Sequence, residues 1–168
     1  MTKRINEWDI LNQEVVELYH TGNYDRAVTV AKKALEVAEK NAGPDYPDVA
    51  LSLNNLAELY RTQGQYAQAE PLYKRSLAIR EKALGPDHPA VAQSLNNLAL
   101  LYDTQGQYAQ AEPLYKRSLA IKEKALGPDH PSVAASLENM AALYRATDRA
   151  KEAEDLEKRA ARIRAIKR

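Results

Sequence analysis

The side chains of this 168-residue chain that could do chemistry are three histidines, 23 aspartates and glutamates, and 24 lysines and arginines; cysteine is absent. Without cysteine there is no disulfide framework, no thiolate metal site and no thiol nucleophile. Two of the histidines, His88 and His130, stand in equivalent places of a segment that recurs every 42 residues. Stacked helical units sit ~8–10 Å apart, whereas two imidazoles sharing a metal need bonds of ~2 Å, so the pair cannot form one site. Each precedes a proline, Pro89 or Pro131, and reads as a turn residue. No Ser/His/Asp set assembles from the spacing, and no glycine-rich phosphate loop follows a strand. Acids on helical arrays usually form a solvated face. The expectation is a chain without catalytic residues, metal or cofactor, which is not an enzyme and works through its surface.

Charge narrows the choice of surface. The formal net charge is +1, so no global field draws nucleic acid or an anionic membrane. The opening MTKRINEWDILNQE lacks the apolar run of a secretory signal, and no stretch approaches the ~20 apolar residues that span a bilayer. The lack of cysteine fits a reducing compartment, and the expected location is cytoplasmic.

What positions these residues is the repeat. Gly85–Leu126 copies Gly43–Leu84 with six differences in 42 positions: Tyr46/His88, Asp48/Ala90, Leu51/Gln93, Glu58/Leu100, Arg61/Asp103 and Arg80/Lys122. Gly127 opens a diverged copy, and the alignment of Tyr24 with Tyr66 marks residues 1–42 as another. The expected organisation is one domain of four repeats, 1–42, 43–84, 85–126 and 127–168, the first and last acting as caps. Within a repeat, Leu95, Leu98, Ala99 and Tyr102 recur at helical spacing between Val91 and Thr104, which predicts helix A with Pro89 in its first turn. Gly106 ends it. Helix B follows from about Tyr108 to Leu126 and is stopped by Gly127-Pro128. Pro71 and Pro113 fall inside helix B and predict a slight bend or a loosened first turn. No segment alternates like a strand, so the expected fold is all-α, eight antiparallel helices in an α-solenoid.

The order Leu95, Leu98-Ala99, Tyr102, Gly106, Tyr108, Ala111, Tyr115 resembles the signature of the tetratricopeptide repeat. The 42-residue form with LNNLA, AEPLYKRSLAI and LGPDHP is similar to the kinesin light chain type of that repeat. The resemblance implies a right-handed superhelix with the A helices lining its concave face. It also implies protein or peptide partners, since kinesin light chains recognise short acidic peptides with an aromatic or leucine anchor.

At ~100° per residue, Asn97 and Leu100 point away from the helix A core, flanked by Gln93, Asn96, Asp103 and Thr104. The candidate peptide groove is therefore Asn54, Asn55, Glu58, Arg61, Asn96, Asn97, Leu100, Asp103, Asn139, Ala142 and Arg145. The first repeat, aligned with one residue deleted before Gly22, adds Gln13, Glu17 and His20. Asn55, Asn97 and Asn139 form a ladder whose amides suit an extended peptide or, equally, bonds between neighbouring helices. Arg61 and Arg145 are compatible with an acidic ligand. The lysines of the chaperone-carboxylate clamp found in some tetratricopeptide proteins are missing, with Gln13 and Ala135 in two of their places. Ile5 and Trp8 precede the helix A core of the first repeat, and Trp8 is expected to cap its buried edge, with a partner contact as the alternative. The leading reading is a non-catalytic scaffold binding an extended peptide or partner helix in the groove, without nucleic acid or membrane. The alternative is a structural or spacer module that self-associates weakly end to end.

Overall fold

The computed structural model describes residues 6–43 and 46–168. Ile5 lies outside the described residues. The helices are α1 Glu7–His20, α2 Tyr24–Ala42, α3 Pro47–Thr62, α4 Tyr66–Leu84, α5 Pro89–Thr104, α6 Tyr108–Leu126, α7 Pro131–Ala146 and α8 Ala150–Arg164. No strand occurs among the described residues. The fold is an all-α solenoid of helix-pair repeats, and the chain divides into two compact units between Ala83 and Leu84.

Punctuation by glycine and proline sets the boundaries. Gly106 adopts φ +75° and Gly127 φ +90°, the left-handed region that a side chain disfavours. Pro89 and Pro131 open α5 and α7, where a missing N–H costs nothing. Helix A thus carries the proline in its first turn, as expected. The imidazoles of His88 and His130 are helix caps as well as turn residues: their Nδ1 atoms accept from the N–H of Ala90 at 3.0 Å and of Ser132 at 3.1 Å. Helices α4 and α6 run uninterrupted through Pro71 and Pro113, which face solvent, where water can satisfy the carbonyl each proline leaves unbonded.

In the first unit, Val15, Ala27, Ala31, Leu56 and Leu59 form one apolar cluster, and Ala38, Val49, Ala50, Leu53 and Ile79 form another. Trp8 packs on the second cluster and its indole N–H donates to Ser52 Oγ at 2.8 Å. In the second unit, α7 packs on both α6 and α8, and Val133, Ala134, Leu137, Ala160 and Ile163 fill the space. Val91, Ala92 and Leu101 of α5 are buried as well and join its expected core. Two helix pairs, α3 with α4 and α5 with α6, are each pinned by a buried hydroxyl: Ser76 donates to the Ala50 carbonyl and Ser118 to that of Ala92, both at 2.8 Å.

The first repeat corrects the alignment. The N–H of Asn23 donates to the Leu18 carbonyl and that of Gly22 to Tyr19. These are the same offsets as Gln65 to Tyr60 and Gly64 to Arg61 in the next turn. No residue is deleted before Gly22, so Val16 and Tyr19, rather than Glu17 and His20, occupy the places of Glu58 and Arg61.

Candidate ligand-binding surface

Two cavities open beside the A helices, one in each unit. In the second unit a cavity of about 410 Å³ is walled by Pro89, Ala90, Gln93 and Asn96 of α5, Lys122 and Leu126 of α6, and Ser132 of α7. Lys122 is half-buried, and its Nζ donates to Ser136 Oγ at 3.0 Å. Burial lowers its affinity for the proton from the ordinary lysine range, because a desolvated ammonium loses water it must replace. No carboxylate pairs with it among the described residues. Asn96 Oδ1 in the same wall is buried without a hydrogen-bond partner, an arrangement that costs free energy until a donor fills it.

The cavity of the first unit is smaller, about 230 Å³, and apolar in character: Val15, Val16, Tyr19 and Leu59, with His20, Asn55 and Glu58 at its margin. Asn55 Nδ2 donates to Asn12 Oδ1 at 2.8 Å, joining α3 to α1.

The remaining candidates are placed as follows. Asn54 is buried, at 6% exposure, rather than displayed on a groove, and its Oδ1 has no partner. Arg61 is engaged by Glu58, its Nε donating to Oε2 at 3.2 Å. The Tyr73 hydroxyl donates to the same Oε2 at 2.8 Å. Burial first, and Glu58 second, push the Tyr73 hydroxyl well above the ordinary tyrosine range. Asp103 accepts from the Tyr115 hydroxyl at 3.0 Å. Arg145 is paired with Glu157, with Nη2 to Oε2 at 2.9 Å. Asn97, Leu100 and Asn139 are half-buried, and Ala142 is exposed. Of the residues expected on this face, Gln93 and Asn96 reach the larger cavity and His20, Asn55 and Glu58 the smaller. The two expected arginines already have carboxylate partners of their own. Lys122 was outside the expected set because it lies on helix B, beyond an angular count around helix A; its signal in the sequence is its place among the six twin differences.

Among the described residues no group of histidines and acids is arranged to hold a metal ion, and no helix is long and apolar enough to cross a membrane.

The tetratricopeptide repeat family model matches residues 15–82, 48–124 and 104–165. The chain belongs to the tetratricopeptide repeat family. Its tetratricopeptide repeats are of the 42-residue, kinesin light chain-like type. Among solved structures the chain is similar to BtubC (BKLC) from P. vanneervenii, with 27% identity and a TM-score of 0.87 over 98% of this chain and 67% of that one. It is also similar to a putative kinesin light chain with nearly identical TPR-like repeats from Podosopora anserina, 27% identical with a TM-score of 0.82, over 94% and 75% of the two chains. Aspartyl phosphate phosphatase F from Bacillus subtilis, at 16% identity, shares the tetratricopeptide fold alone, with a TM-score of 0.84 over 97% of this chain and 41% of that chain. No curated protein matches the sequence.

Proposed function

We propose that this tetratricopeptide repeat chain is a non-catalytic interaction scaffold whose A helices bind an extended peptide, and that the cavity around Lys122 receives an acidic group of that peptide. The observation that carries this reading is where the twin repeats differ. Three of the six differences, Ala90, Gln93 and Lys122, line one cavity, and a fourth, His88, caps Ala90 in its wall. The other two, Leu100 and Asp103, exchange the acceptor of the buried Tyr115 hydroxyl. Drift at exposed positions would have fallen elsewhere: Ala67, Gln68, Pro71, Lys74, Ala78 and Lys82 of helix B are exposed and are the same residues in both copies. An acidic ligand supports both unmet needs of the site. Its carboxylate would restore the hydrogen bonds that the half-buried ammonium has lost, and its backbone N–H would satisfy Asn96 Oδ1. Arg61 and Arg145 play no direct part in this reading, since each already holds a carboxylate.

The test is selection from a random peptide display library on the folded chain. Enrichment of peptides sharing an acidic residue, absent from selections on Lys122→Glu, supports the proposal. Enrichment of peptides that bind the Lys122→Glu variant equally well would remove the cavity from the ligand site, and no enrichment at all would favour a spacer module.

A further inference from the structure

We propose that His88 and His130 are a pair of proton-sensitive caps that hold two walls of the Lys122 cavity, so that acid loosens it. The two residues they cap, Ala90 and Ser132, are themselves lining residues. One stands in the first turn of α5 and the other in the first turn of α7. In both caps the acceptor is the Nδ1 lone pair. Protonation consumes that lone pair, since both ring nitrogens of a histidinium are donors. It also places a positive charge at a helix N-terminus, where the macrodipole opposes it. The sign follows: the caps contribute fully when the rings are neutral, and their contribution is lost on protonation.

The charged groups around the caps are Asp87, Lys124 and Arg117 at the first, and Asp129, Arg159, Arg162 and Arg168 at the second, with Lys122 in the cavity they share. Asp87 is already bonded to Lys124 Nζ at 3.3 Å. Tyr46 occupies the same position ahead of α3 and makes no side-chain cap bond, so the first unit lacks the device. The Tyr46/His88 difference thereby acquires a physical role.

The measurement is amide hydrogen exchange of the full chain by NMR at pH 7.5 and 5.5, expressed as protection relative to the intrinsic rate at each pH. The amides of Ala90 and Ser132 report on the cavity walls directly. Their protection should fall about fivefold or more on acidification, the change in population that a cap of ordinary strength confers. In the His88→Asn/His130→Asn variant, where an amide oxygen caps at either pH, it should stay within about twofold. Unchanged protection in the wild type, or an equal fall in the double variant, would overturn the proposal. No peptide enters the measurement, so its failure would leave the binding reading standing.

Discussion

Tyr73 and Tyr115 occupy equivalent positions, yet their hydroxyls find different acceptors. Glu58 serves the first and Asp103 the second, one turn further along helix A. Where the twin carries Leu100 in place of Glu58, the acceptor has moved to position 103, which is Arg61 in the other copy. In the last repeat the tyrosine itself is replaced by Glu157, which holds Arg145. These substitutions are coupled by one requirement, that a buried hydroxyl keep a partner. Glu58→Leu alone should therefore cost about 1–3 kcal/mol in denaturant unfolding, and adding Arg61→Asp should recover most of it by recreating the arrangement of the twin. A double variant as unstable as the single one would break the coupling. Asp148 carries a second local cost: it adopts φ +60° at the place where Gly106 adopts +75°. Asp148→Gly should stabilise the chain by about 0.5–1 kcal/mol, raising the melting temperature by a few degrees. The tyrosine pairing was not legible in the sequence, because pairing across two helices is invisible to a count around one.

Helix boundaries were legible almost to the residue, since Gly106, Gly127 and the prolines at 89 and 131 act locally. Helix width was not. The periodic reading of helix A found the stripe Leu95, Leu98, Ala99 and Tyr102 and missed Leu101, which is fully buried. Periodicity shows which side of a helix is apolar, but not how many neighbours press on it. Because Leu101 is fully buried, Leu101→Ala should cost about 2–5 kcal/mol, comparable with Leu98→Ala. A cost below about 0.5 kcal/mol, typical of surface changes, would contradict that burial. For the same reason the candidate site was only partly legible. Helix A supplied Asn96, but the cation of the cavity comes from helix B, and Arg61 and Arg145 are satisfied by Glu58 and Glu157 rather than awaiting a ligand.

At the scale of the whole molecule, stacking is what a repeat array must regulate. On the final helix α8 the places of Tyr108, Tyr115 and Leu119 are taken by Ala150, Glu157 and Ala161, and Ala150 and Ala161 are exposed. A face so stripped of apolar area offers little to bury against a second copy. Sedimentation velocity at increasing concentration should show a single monomeric species; a concentration-dependent dimer would revive the self-associating module. The more decisive measurement concerns the cavity. One library-selected acidic peptide would be titrated into the wild type, Lys122→Arg and Lys122→Glu, each first shown to be folded by thermal melting. A ligand held at this cation should bind the arginine variant within about threefold of wild type, because arginine keeps the positive charge, and bind the glutamate variant at least about tenfold more weakly. Equal affinity for all three proteins would contradict a ligand site at Lys122.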